Sequence, residues 1–210
     1  MRFPAVLIIA ALPCLAAPQQ PPATTGMPPR ATPADYQAQA QAGAITIAAE
    51  SKGHSIPTPL GTLTTTDYLV VEAALFGPPD SRLLLSVGDF SIRVNGKKTT
   101  LPGQPFGMVF RSLKDPELEP PASSKSKSNI NTGGSGQADS GAPPAPVKIP
   151  VEVVRSMQQR TRQASLTEGD RLLPQAGLIY FQYSGKVEGI RSLELIYNGP
   201  AGTATLTLEP

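Results

Sequence analysis

The run DYLVVEAALF at residues 67–76 constrains the fold more than any other part of this chain. In an extended chain successive side chains point to opposite faces. Leu69, Val71, Ala73 and Leu75 therefore share one face, and Tyr68, Val70, Glu72, Ala74 and Phe76 share the other. Both faces are largely apolar, which predicts a central strand covered on both sides. Gly77-Pro78-Pro79-Asp80 ends it.

Other strands gather around this one. Residues 44–50 (AITIAAE) and the Thr-rich residues 60–66 read as strands. Residues 89–95 alternate cleanly, with Phe90, Ile92 and Val94 on one side. Asn95-Gly96 is a favoured pair for a two-residue hairpin turn, because both positions need positive φ. Residues 97–101 would then return antiparallel, and residues 106–110 (FGMVF) would add a short strand. Residues 178–183, 192–197 and 203–209 close the chain, the last two joined by a turn-rich connection. In the last strand Ala204, Leu206 and Leu208 alternate with threonines, giving a packed face and a wet one.

One helix is expected, over residues 150–166. Pro150 suits a helix start and Glu152 the positive end of its dipole, while Arg160 and Arg162 suit the other end. Val154, Met157, Thr161 and Ala164 form a narrow apolar stripe, read as the face by which the helix caps the sheets. Seven or eight strands with regular turns imply a mainly β fold, an antiparallel β-sandwich.

Composition divides the chain. Its 24 prolines and 19 glycines crowd into two regions poor in large apolar side chains. Such regions bury too little surface to offset the entropy of ordering. Residues 17–43 are accordingly expected to be a disordered Pro/Ala/Gln-rich tether, with YQAQAQAG at its end transiently helical. Residues 112–148 are expected to be a long disordered insert within one domain spanning 44–210. A linker between two domains is the alternative, but neither flank carries enough strands to close a core alone.

Residues 1–16 have the build of a secretory signal peptide: Arg2, an apolar run, and small residues at Cys14 and Ala16. The apolar stretch would reach roughly 20 Å as a helix, against a bilayer core of about 30 Å. Cleavage after Ala16 would remove Cys14, the only cysteine. An acylated Cys14 is the alternative, and Pro13 beside it argues against that. The chain is expected to be exported, to the periplasm or outside the cell, with no transmembrane segment in its mature form.

The succession of motifs resembles a known family. Tyr68-Leu69-Val70-Val71-Glu72 is followed by Asp89-Phe90-Ser91-Ile92 with Asn95-Gly96. Leu173, Pro174 and Gly177 then precede Ile179-Tyr180-Phe181, and the run from Ile190 to Tyr197 closes the pattern. This is similar to secreted bacterial immunoglobulin-like β-sandwich domains of unknown function, over residues 68–209. The insert and the helix depart from the family pattern. The resemblance implies an immunoglobulin-like fold and no particular activity.

Little in the chain points to chemistry. The one histidine, His54, sits in a Gly-rich loop, and no nucleophile elbow accompanies it. One His and a removable Cys make a poor zinc set, and Asp67, Asp80 and Asp89 lack calcium-loop spacing. No cofactor or metal is expected. The net charge of +2 is no footprint for nucleic acid. Glu72, Glu188 and Glu194 are the acids that could pair for a carboxylate-based envelope hydrolase. Carbohydrate binding is the nearer rival, with Tyr180, Tyr183 and Tyr197 as candidate ligand-binding residues, although the chain has no Trp. The leading expectation is a non-catalytic module for protein interaction or spacing, with an envelope or extracellular protein as partner.

Overall fold

The computed structural model describes residues 26–116 and 149–210. The signal-peptide reading, the start of the tether and most of the insert lie outside the described residues.

The strands are β1 (Ala38–Ala42), β2 (Ile45–Ser51), β3 (Ser55–Thr58), β4 (Gly61–Thr65), β5 (Tyr68–Phe76), β6 (Arg82–Leu85), β7 (Phe90–Val94), β8 (Leu101–Gln104) and β9 (Leu113–Lys114). After the helix α1 (Val151–Ala164) come β10 (Gly169–Leu172), β11 (Gln175–Gln182), β12 (Leu193–Gly199) and β13 (Gly202–Leu208). Eight of them form one antiparallel sheet in the order β1-β2-β5-β11-β8-β7-β12-β13. The fold is mainly β, as expected.

The finer expectation, two packed layers, gives way to a single sheet that curls into a nearly closed barrel. β1 and β13 end up side by side but share no ladder. Gln37 Nε2 donates to the Glu209 carbonyl at 3.3 Å across this seam. At its other end Gly43 has a φ of 59°, and a Cβ there would stand 2.3 Å from the Ala201 carbonyl oxygen, so only glycine fits.

The barrel interior takes one side of every long strand: Ile47, Val71, Phe181, Ile92, Leu195 and Leu206 among others. β5 lies between β2 and β11 and is buried on both faces, as its sequence predicts. Its outer face has three covers. α1 and β3–β4 pack over Tyr68 and Val70. Arg30 and Lys52 cover Glu72. Tyr36 covers Ala74 and Phe76.

Four expectations are corrected. First, residues 26–43 are docked rather than a tether. Tyr36 and Ala42 are buried, and residues 38–42 form a strand instead of a transient helix. Tertiary pairing with β2 overrides the helical preference of Ala and Gln. Second, the return after Asn95-Gly96 begins at Leu101, not Lys97. Both turn residues do have positive φ. Asn95, however, spends its side chain on the Gly189 carbonyl and the Arg191 amide, which ties the turn to a different segment. Third, Phe106–Ser112 is a 3₁₀ helix rather than a strand at 106–110. Its buried residues Val109 and Ser112 follow a period of three. Fourth, Leu113–Lys114, assigned to the insert, pairs with β4 as β9.

Candidate functional site

The exposed side of α1 builds the most chemically distinct surface. The apolar stripe of Met157, Thr161 and Ala164 is buried, so Arg155 and Arg162 fall on another face. They are seven residues apart, which returns a helix to nearly the same side. Beside them lies the 3₁₀ segment, where Phe106 and Phe110 are half-buried with ring centroids 5.7 Å apart. The Arg162 guanidinium is 6.0 Å from the Phe106 ring centroid, at the outer limit of a cation–π contact. Gln158, Gln159 and Gln163 complete a shallow groove of about 530 Å³.

A second cleft of about 250 Å³ continues from it, sharing Phe106 and Arg162. Leu178 and Leu166 form its apolar wall, and Arg171 and Glu168 stand on its rim. The Glu168 carboxylate is engaged: it accepts from the Val87 amide at 3.0 Å and the Ser86 hydroxyl at 3.4 Å. At the base the Tyr180 and Ser165 hydroxyls lie 3.1 Å apart, and Ser165 donates to the Thr161 carbonyl at 2.7 Å. Burial pushes the Tyr180 phenol well above its ordinary value, and the Ser165 hydrogen bond offsets this only in part. Tyr180 is therefore a neutral phenol, hydrogen-bonded to Ser165 beneath α1.

Charge pairing sets this surface apart. Among the described residues, Arg30, Arg82, Arg93 and Arg160 all meet carboxylates. The described arginines with no such ion pair are Arg111, Arg155, Arg162, Arg171 and Arg191. Three of these five line the two adjoining clefts.

The tyrosines singled out in the sequence do not come together. Tyr197 is buried in the barrel against Phe90, centroids 5.0 Å apart. Tyr180 faces outward from the barrel but lies under α1. Only Tyr183 is half-exposed; it stacks on His54 at 6.4 Å and borders a hollow with Lys97 and Thr99. A shared aromatic platform is not formed, because facing out of this sheet often means facing into a second layer. His54 sits between two carbonyls: Nδ1 is 2.7 Å from that of Tyr68 and Nε2 is 3.0 Å from that of Gly185.

The three acids weighed as a catalytic pair occupy separate surroundings. Glu194 pairs with Arg93 at 2.7 Å, and Glu188 borders a hollow near His54. Glu72 does face a second carboxylate, Glu50, directly across the β2–β5 ladder, a partner that the sequence reading missed. Arg30 and Lys52 bridge both acids, with Arg30–Glu72 at 3.1 Å and Lys52–Glu72 at 3.0 Å. Burial raises the Glu50 carboxyl, but the hydrogen bonds and charges of Lys52 and Arg30 outweigh it and hold the group below its ordinary value. Two acids bridged by two cations make a clamp for the segment carrying Arg30.

Comparison with protein-family models, with curated proteins and with solved structures found no match. Among the described residues no group of three or more His, Cys, Asp or Glu could hold a metal ion. No described helix is long and apolar enough to cross a membrane.

Proposed function

We propose that this chain is an exported, non-catalytic module that binds an envelope or extracellular protein through the groove between α1 and Phe106–Ser112. The observation that carries the reading is the half-exposed Phe106–Phe110 pair beside Arg155 and Arg162, which meet no carboxylate among the described residues. Aromatic and arginine side chains are the residue types that dominate protein interfaces. Export rests on the signal-like pattern of residues 1–16, and the affinity to secreted immunoglobulin-like domains on the motif succession from Tyr68 to Tyr197. A continuous curled sheet is the departure from that family.

Carbohydrate binding is the second reading, supported by half-exposed Tyr183 beside Lys97 and Thr99. One tyrosine offers a single stacking surface, so this reading is the weaker.

The test is site-specific photocrosslinking in the native envelope. A crosslinker at Gln159 should capture a discrete protein, whereas one at Thr205, on the exposed side of β13, should not. Equal capture from both positions, or none from Gln159, would sink the proposal. Capture of glycan at Tyr183 alone would transfer the function to the second reading.

A further inference from the structure

We infer that the α1 groove is built for an acidic, proline-containing segment in the polyproline II conformation, with carboxylates three residues apart. The inference rests on the binding reading above and names the chemistry of the partner.

Arg155 and Arg162 line the groove, and Arg171 extends the same sign into the adjoining cleft. Among the described residues the one carboxylate lining the two clefts, Glu168, is engaged by an amide and a hydroxyl. An occupant that brings carboxylates meets guanidinium groups that this surface leaves without them, and charge-assisted bonds of that kind are the strong ones.

Seven residues of α-helix carry Arg162 about 10.5 Å beyond Arg155. A polyproline II chain rises about 3.1 Å per residue and repeats every three residues, so positions i and i+3 share a side about 9.3 Å apart. In a β-strand the same-face spacings are about 7 Å and 13 Å, and neither matches.

Polyproline II has no internal hydrogen bonds, so its amides and carbonyls need partners from outside. Gln158, Gln159 and Gln163 supply side-chain donors and acceptors along the groove. An α-helical occupant would satisfy its own backbone and leave those glutamines nothing to do. The Phe106–Phe110 pair offers the aromatic wall against which proline rings pack in such grooves.

The probe is fluorescein-labelled Gly-Pro-Glu-Pro-Pro-Glu-Pro-Gly, titrated by anisotropy with the exported chain. Binding should weaken about tenfold when both Glu are replaced by Lys, and by a similar factor when they are moved to adjacent positions. It should weaken about tenfold in Arg155→Glu and in Arg162→Glu, and fall as salt is raised. Both arginines are surface residues, so unchanged melting of the two variants confirms that the fold is kept.

Equal binding of the acidic and lysine peptides overturns the inference, as does binding that ignores both substitutions. If the groove crosslinks a protein yet the acidic peptide shows no binding, this inference fails and the binding reading stands. If neither occurs, both fail. Stronger peptide binding by Glu117→Gln/Glu119→Gln would make this chain's own acidic stretch the occupant. Self-association lost in Arg162→Glu would make it a second copy. Either result overturns the partner assignment.

Discussion

Gly177→Ala is a small change with a large expected effect. Gly177 sits on β11 opposite Ala73. A Cβ at this position would stand 2.4 Å from both the Cα and the amide nitrogen of Leu166, and 2.7 Å from the Ser165 carbonyl carbon. Favourable carbon–carbon separations are about 3.5–4.0 Å. The obstructing atoms are all backbone, so no side chain can rotate away and the 165–166 segment must move by about 1 Å. That segment is held by the Leu166 amide donating to the Leu178 carbonyl at 3.0 Å, a bond that such a shift breaks. Overpacking costs about 1–3 kcal/mol and the lost hydrogen bond about 0.5–1.5 kcal/mol. The stiffer unfolded chain returns about 0.4–1 kcal/mol. The net expectation is a loss of about 2 kcal/mol. In a domain of this size it lowers the melting midpoint by roughly 4–8 °C. The assay is thermal unfolding by circular dichroism, with Gly107→Ala as control. A Cβ at Gly107 meets nothing within 4 Å, so the control should melt at or slightly above the parent. A Gly177→Ala midpoint within about 1 °C of the parent would refute the close approach of α1's exit to β11.

Glu72→Gln should destabilise the fold by about 1–3 kcal/mol in urea unfolding, because Arg30 and Lys52 then share one carboxylate instead of two; an unchanged midpoint would remove the clamp from the account. The clamp also has a pH signature. Glu50 has a folded-state value below its ordinary 4.5, so its contribution is complete above that pH and is lost as pH falls through the folded value. Urea stability at acid pH should therefore fall less steeply in Glu50→Gln than in the parent. His54→Leu removes the ring nitrogens that face the Tyr68 and Gly185 carbonyls and should cost about 1–2 kcal/mol. Hydrogen exchange should speed up around residues 185–187 and stay unchanged in β12; a uniform effect would argue against a local tie.

The sequence was most readable where one period ran long. β5, β7, β12, β13 and α1 each carry their pattern over five residues or more, enough to separate a period of two from one of 3.6. β1 was unreadable because AQAQA has strand alternation in helix-forming residues. Its alanines face the barrel, where the pairing with β2 and the nearness of β13 decide its conformation. The run FGMVF was misread because four apolar side chains in five residues fit a strand and a tight helix equally well. Tyr180 illustrates a deeper gap. Its outward direction follows from alternation, but its burial depends on α1 arriving from a distant part of the chain. The groove escaped for the same reason: its aromatic pair lies more than forty residues before its arginines. Glu72 did stand out as a charge in an apolar run, yet nothing local in the sequence announces that Glu50, Lys52 and Arg30 converge on it.

The seam between β1 and β13, which no ladder closes, predicts the order in which this molecule comes apart. Every interior strand of the barrel is held by ladders on two sides, whereas β1 and β13 are each held on one. Releasing either breaks a single ladder, the smallest step on the way to the unfolded chain. β5, clamped between β2 and β11 beneath all three outer covers, opens only with the whole. The protein thus carries a built-in gradient of local stability running from its two margins to its centre. The α1 groove belongs to the slow end of that gradient, because α1 packs over β5 and β11. Fraying at the margin can proceed while the groove keeps its shape.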